Sequence, residues 1–316
     1  MKIRSVCLLG GTGFVGRPLA MHLARSGIAV TIPTRHAYRH RDLTVIPGLR
    51  LIEADILDAA CLSALVRDVD GVINLAGASR AEGWTEASLR ALHVELPGTL
   101  VKACEQGRAW RIIHMSAANA DAVRGPSAYL RAKGQGEDQI HQDADGLAVT
   151  SVRPTPIFGP GDGLISRFAA LLRRLPGPIP VPCAQTRLAP IYVRDLVEII
   201  AGRLGDPDSV GQRIELCGPT SYTFKAMLEL VATAMGQRRR TLVLSDGNSR
   251  RLAQLLEHVP GRPFTLDDYY TMQLDSLCMS TSVRAGTPLE SILPQLIKPG
   301  THPEERFAEL RRRVRR

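Results

Sequence analysis

Three observations in the sequence predict an α/β chain with a doubly wound parallel sheet and a smaller C-terminal substrate lobe. Short β-like runs alternate with helix-length segments through the first 155 of 316 residues. The first run opens directly into a glycine-rich turn, GGTGFVG, and a helix. After Thr155 the rhythm loosens into Pro/Gly-rich loops. The early runs are SVCLLG, AVTIP, LRLIEAD, GVINLAG, RIIHMSA and AVTSVRP. Strands alternating with helices imply right-handed crossovers and a parallel sheet covered on both faces. GVINLAG and RIIHMSA are nearly continuous apolar runs, the pattern of strands buried on both sides. Further on, IFGPGDG and RRLPGPIPVPC read as loops, and APIYVRDLVEIIAGRL begins extended and turns helical. RIELCGP reads as a late strand, and TFKAMLELVATAMG carries apolar residues at helical spacing. The expected division is residues 1–155 for the sheet domain and 156–316 for a lobe that completes the sheet and the substrate pocket.

Composition narrows the classes. A chain of this size buries about three quarters of its unfolded surface and needs no staples. Its six cysteines, Cys7, Cys61, Cys104, Cys183, Cys217 and Cys278, show no paired spacing. They read as small apolar residues in a reducing compartment, without disulfides or zinc. The eight histidines form no ligand motif, so no metal is expected. The early apolar run breaks at GGTG, too soon for a secretory signal, and no window approaches the roughly 20 apolar residues of a bilayer span. The expectation is a soluble, cytoplasmic chain, at most peripheral to the inner face of a membrane. A net charge of +9 favours anionic partners. Part of it lies in the tail 303–316, where RFAELRRRVRR reads either as a solvated end or as a basic helix on anionic lipid. Aromatics are few and not interleaved with cations, which argues against nucleic acid.

Gly10, Gly13 and Gly16 stand at GxxGxxG spacing after a strand and before a helix. Lacking a Cβ, glycine permits a tight turn and close backbone approach to a pyrophosphate. Thr12 lies within this turn, and the backbone amides of Phe14 and Val15 would face the ligand at the positive end of the helix. This is the arrangement of a Rossmann dinucleotide site. At the end of the second strand, an acid would bind a ribose 2′-hydroxyl, but here stand Thr34 and Arg35, then Arg39 and Arg41. An arginine fork matches phosphate oxygens. A charge-assisted hydrogen bond is worth about 1.5–3 kcal/mol, roughly ten- to a hundredfold in affinity. The cluster therefore reads as a 2′-phosphate clamp of Arg35 and Arg39, with NADP(H) preferred over NAD(H). Arg41 is expected to face water or pair with Asp42, and His36 and His40 are an i,i+4 pair if the segment is helical. Asp55 and Ile56 end the third strand beside the adenine, and Leu75, Ala76 and Gly77 end the fourth with small residues that admit the cofactor.

Tyr129 and Lys133, four apart in SAYLRAKGQGE, share one helical face. A free tyrosine titrates near 10, so acid/base work near neutrality needs a shift of about three units, or about 4 kcal/mol. The neighbouring ammonium favours the phenolate, and Lys133 can hold the nicotinamide ribose.

GGTGFVG, NLAGA, the Tyr129/Lys133 pair and VRPTPIFGPGD together resemble the extended and atypical short-chain dehydrogenase/reductases, of NAD-dependent epimerase/dehydratase type. TRHAYR, APIYVRDLVEII, IELCGPTSYTFKAMLELV and TPLESILP are similar to the group containing the nucleotide-binding accessory subunit of respiratory complex I and its bacterial relatives. The resemblance runs from about residue 3 to about 297. It implies a Rossmann fold with bound NADP(H), with Pro154, Thr155 and Ile157 bordering the nicotinamide and Tyr192 and Asp195 organising the substrate lobe. Asp195 is expected to cap or pair locally.

Active members carry Ser or Thr after the fifth strand to polarise substrate. In HMSAANA that position aligns with Ala117, with Ser116 one residue earlier. Either Ser116 substitutes through a shifted register or polarisation is lost. Two functions follow from the residues. One is a protein that holds NADP(H) with little or no turnover near a quinone-using respiratory complex. The other is an NADPH-dependent reductase or epimerase-like enzyme acting through Tyr129, Lys133 and Ser116 on a carbonyl or sugar-like substrate.

Overall fold

The computed structural model describes residues 2–77, 85–162, 164–174, 177–237, 239–259 and 262–297. Ala78 and the tail 303–316 lie outside the described residues. In chain order the elements are β1 (Ser5–Leu9), α1 (Gly16–Arg25), β2 (Ala29–Thr34), β3 (Leu49–Glu53), α2 (Ala59–Val66) and β4 (Gly71–Asn74). They continue with α3 (Glu86–Arg90), α4 (Leu96–Glu105), β5 (Arg111–Met115), α5 (Ala128–Asp143) and β6 (Ala148–Pro154). After these come β7 (Ile157–Phe158), α6 (Ile165–Arg174), β8 (Ile179–Val181), β9 (Arg187–Leu188), β10 (Ile191–Tyr192) and α7 (Val193–Leu204). Then follow β11 (Arg213–Cys217), β12 (Tyr222–Thr223), α8 (Phe224–Ala234) and β13 (Thr241–Val243). All six early strands, the late strand and the α8 helix fall where the sequence patterns put them.

By backbone packing the chain divides into two compact units, residues 1–154 with 196–216, and residues 155–195 with 217–316. In the first, seven strands run in the order β11-β6-β5-β4-β1-β2-β3, every neighbouring pair parallel. This is a Rossmann sheet, and its order reverses between β1 and β4, where such sheets open a crevice at the carboxyl ends of the strands. Every residue of β4 is buried, because helices cover both faces. Cys7, Leu9 and Val72 from the strands pack with Leu62 and Val66 of α2, Leu100 of α4 and Ile140 of α5.

Arg111 begins the apolar strand β5, yet its side chain is 1% exposed. Its guanidinium donates to the carbonyls of Ala148 (2.7 Å), Arg203 (2.6 Å) and Leu204 (3.3 Å) and to the hydroxyls of Thr150 and Ser209 (2.8 Å each). Arg203 and Leu204 supply open carbonyls at the C-terminal end of α7, where a cation is favoured. Burial lowers the guanidinium to about 10, still a cation at neutral pH. One charge thus binds residues 203–209 to the two strands β5 and β6.

In the second unit, β7 pairs with β10 and β8 with β13 in parallel, while β9 and β12 are antiparallel. Phe168 of α6 meets Phe224 of α8 edge-on at 5.3 Å. Asp195 accepts from the backbone and hydroxyl of Thr287 at 2.9 Å each, so its pairing is distant in sequence. Tyr192 stacks at a tilt on Phe158, 5.5 Å away. The expectation of six free thiols is corrected here: Cys217 and Cys278 form a disulfide. Sixty-one residues separate them, and tertiary packing brings their Cα atoms to 5.5 Å, which no spacing motif records. Cys7, Cys61, Cys104 and Cys183 are free. Among the described residues no helix is long and apolar enough to cross a membrane, and no cluster of three or more His, Cys, Asp or Glu side chains is built to hold a metal.

Arg111→Met removes the charge that gathers these acceptors. Urea unfolding of this variant is expected to show a loss of about 3 kcal/mol, from buried carbonyls and hydroxyls left unpaired. An unchanged midpoint would mean that residues 196–216 are held to the sheet by apolar packing alone.

Candidate functional site

The glycine turn is built for close approach. Gly10 has φ +76°, the left-handed region, and a Cβ there would stand 2.8 Å from the Leu75 carbonyl oxygen. A Cβ on Gly16 would overlap the carbonyl oxygen of Gly10, so the first turn of α1 rests directly on the loop that leaves β1. Gly13 is exposed and Phe14 half-buried at the mouth, and Val15 caps α1 without a side-chain hydrogen bond. Amides at the positive end of a helix, in a cradle that side chains would fill, fit a pyrophosphate.

Beside it, β2 ends in Thr34 and exposed Arg35, and a 3-10 turn spans Ala37–Leu43. The backbone amide of Ala37 donates to Glu53 at the end of β3 (3.2 Å), which turns that carboxylate toward the loop. Arg39 donates to the Tyr38 hydroxyl at 3.0 Å and lies over its ring. His36 and His40 do not pair on a helix: His36 meets Tyr38 edge-on at 5.8 Å, and His40 lies 3.0 Å from Arg17. Arg41 is exposed, and the partner of Asp42 is Arg17 of α1 instead. Sequence spacing gives no sign of that pairing, because 25 residues separate the two. Asp55 is exposed and accepts from the Leu57 amide at 3.0 Å, and Ile56 is half-buried.

At the ends of β4 and β5 lies a buried polar group that sequence reasoning missed. The Asn74 carbonyl oxygen accepts from the Ala76 amide (3.1 Å), so its amide nitrogen donates to His114 Nδ1 (3.3 Å). That bond assigns the proton of a neutral ring to His114 Nε2, which among the described residues has no hydrogen-bond partner. The Leu75 amide donates to Leu9 at 3.0 Å, Leu75 and Ala76 are buried, and Gly77 is exposed. On α5, Lys133 is 4% exposed and donates to the Met115 carbonyl at 2.8 Å. Burial lowers its ammonium to about 8, against the pull of Glu137. Tyr129, one turn earlier, is half-buried and meets His93 edge-on at 5.7 Å. His93 lies on a π-turn, Ala91–Glu95, which packs on α5 so closely that a Cβ at Gly136 would overlap the His93 carbonyl.

Ser116 is buried, and its hydroxyl donates to Glu137 at 3.2 Å. Glu137 is fully buried and paired with Arg153 at 2.7 Å. Ala117 is also buried. Pro154 accepts from the Ala118 amide at 3.0 Å. Within the second unit, Thr155 donates to Ala189 at 2.6 Å, and Ile157 pairs with Ile191. The structure thus brings Tyr129, Lys133, His93, His114 and Asn74 together near the ends of β4 and β5. It gathers the glycine turn, Arg35 and Arg39 at the ends of β1 and β2.

A parallel sheet opening at its switch point beside such a turn defines a Rossmann-type α/β protein. The chain belongs to the NAD dependent epimerase/dehydratase family, whose model matches residues 6–218. It is 30% identical over 236 residues to the mitochondrial NADH-ubiquinone oxidoreductase 40 kDa subunit of Neurospora crassa, covering 74% of this chain and 60% of that protein. It is 29% identical to a ceramide reductase of Caulobacter vibrioides, covering 76% of this chain and 74% of that one. The chain thus spans less than two thirds of the length of the Neurospora subunit. Its fold is shared with a UDP-glucuronic acid 4-epimerase from Bacillus cereus, solved with UDP-glucuronic acid and NAD, at TM-score 0.66 and 18% identity. That likeness covers 85% of this chain and 99% of the epimerase.

Burial first, and then Lys133, lower His114 to about 3 and His93 to about 2, against an ordinary imidazole value of 6.5. Both rings stay neutral when folded, while the unfolded chain takes up protons below 6.5. Their contribution is therefore complete above that value and is lost as pH falls toward 3. Between pH 7 and pH 5 the loss is about 2 kcal/mol per histidine. His114→Asn is expected to reduce the measured difference in unfolding free energy between these two pH values by that amount. An unaltered difference would mean that the ring titrates normally in the folded chain.

Proposed function

We propose that the chain binds NADP(H) in preference to NAD(H) and holds it tightly with little or no turnover, in association with a respiratory quinone-using complex. The observation that carries the low turnover is the direction of Ser116. Its hydroxyl is engaged by the buried Glu137–Arg153 pair, and buried Ala117 stands at the position that the family resemblance aligns with a substrate-polarising Ser or Thr. An alanine donates no hydrogen bond to a substrate carbonyl. The preference for the phosphorylated dinucleotide is supported by Arg35 at the end of β2 and Arg39 held over the Tyr38 ring, with Glu53 turned to the loop backbone. The glycine turn would take the pyrophosphate, with Asp55 and Ile56 at the adenine and Leu75–Gly77 under the cofactor. Tyr129 and Lys133 would hold the nicotinamide ribose. Likeness to a respiratory subunit supports the association, and a cytoplasmic site beside the inner membrane face, reached through the basic tail, goes with it.

A second reading is favoured by Lys133. When bound, the nicotinamide supplies hydride transfer, and a buried ammonium near neutrality beside Tyr129 is suited to moving the accompanying proton. The chain would then be an NADPH-dependent reductase or epimerase-like enzyme, a reading supported by likeness to a protein named as a reductase.

Denaturing the purified protein and identifying the released nucleotide, then offering quinones, aldehydes and ketones with NADPH, separates the two. Stoichiometric NADP(H) without oxidation is expected. Turnover abolished by Tyr129→Phe would establish the enzyme instead. Arg35→Ala is expected to weaken NADPH binding roughly ten- to a hundredfold while leaving NADH binding nearly unchanged. Equal losses for the two would refute the clamp.

A further inference from the structure

Arg17 leaves the first turn of α1 and reaches the basic turn that follows β2. Its Nε donates to the Thr12 carbonyl at 3.1 Å, one Nη lies 3.0 Å from His40 Nδ1, and the other pairs with Asp42. The bond to Thr12 ties the guanidinium to the glycine turn, so the cofactor cradle itself fixes where this cation stands. Its two terminal nitrogens then face the segment carrying Arg35 and Arg39. Asp42 is the only acid between Thr31 and Leu43. It sits on an arginine fork that donates to two carboxylate oxygens or two phosphate oxygens equally well.

We propose that Arg17 is a further specificity-determining cation for the 2′-phosphate of NADP(H), and that Asp42 is an internal carboxylate holding the place of that phosphate until it arrives. This rests on the NADP(H) reading above. Asp42 is 62% exposed and Arg17 32%, so their ion pair is a surface pair that opens readily. A phosphate dianion on the same fork carries more charge and three acceptor oxygens. His40 is kept neutral by burial and then by Arg17, so it accepts from the fork and adds no competing charge. NADH brings no anion to this point, and Asp42 keeps its partner.

The test compares displacement of bound NADPH from the full chain by 2′,5′-ADP and by 5′-AMP, which differ by the one 2′-phosphate at issue. The ratio of the two displacing concentrations cancels any change in affinity for NADPH itself. In the wild-type chain 2′,5′-ADP is expected to displace at lower concentration. Asp42→Asn should improve 2′,5′-ADP about three- to fivefold and leave 5′-AMP unmoved. Arg17→Lys, which keeps the charge and loses the fork, should weaken 2′,5′-ADP about tenfold and 5′-AMP little. A ratio unchanged in both variants, where Arg35→Ala collapses it, would overturn the roles of Arg17 and Asp42 and leave the NADP(H) reading standing. A wild-type ratio near one would overturn both.

Discussion

No atom fits between Gly16 and the carbonyl oxygen of Gly10, and the geometry around the glycine turn depends on that contact. It sets the start of α1 directly on the loop from β1. The helix's free amides therefore open where the parallel strands end. The same contact fixes Arg17, the next residue, at the mouth, with its Nε on Thr12. Gly10 adds the left-handed backbone that lets the chain turn within two residues of the strand. An alanine at either place would push helix and strand apart, and the cations around the turn would lose their common reference.

A second close contact organises the other end of the crevice. Gly136 lets α5 press on the π-turn at His93, and that packing delivers Tyr129 and Lys133 beside His93 and His114. The result is a dense group of nitrogen bases of which the ammonium alone carries charge. The two rings are neutral because burial and the ammonium both oppose a second proton. Glu137, on the same helix, is neutralised by Arg153 and takes the Ser116 hydroxyl with it. Buried charges of both signs are thus matched within one helix and its neighbouring strands, as buried charges must be.

Members of one family can share this scaffold and differ in chemistry, because turnover depends on a few polar atoms at the strand ends. Here Tyr129 and Lys133 share one helix while the neighbouring Ser116 hydroxyl points into the protein. The relatives bracket that mixture: one is named as a subunit of NADH-ubiquinone oxidoreductase and one as a reductase.

Fold class and strand positions were legible in the sequence because burial on both faces of a parallel sheet leaves unbroken apolar runs, and because a tight strand-to-helix turn demands glycine. The Tyr129/Lys133 face was legible for a similar reason, since helical spacing is local. Arg111 was not, because it interrupts an apolar strand, and only the returning carbonyls at the end of α7 explain it. Nor were Asn74–His114, Arg17–Asp42, Ser116–Glu137 or Cys217–Cys278, each of which joins groups at least 21 residues apart. The sequence by itself determined the sheet, its glycine cradle and the cations beside it, all properties of short-range pattern. Which of those charges meet, which hydroxyl is withdrawn and which thiols join was decided by tertiary packing, because such contacts depend on distances that chain spacing does not encode.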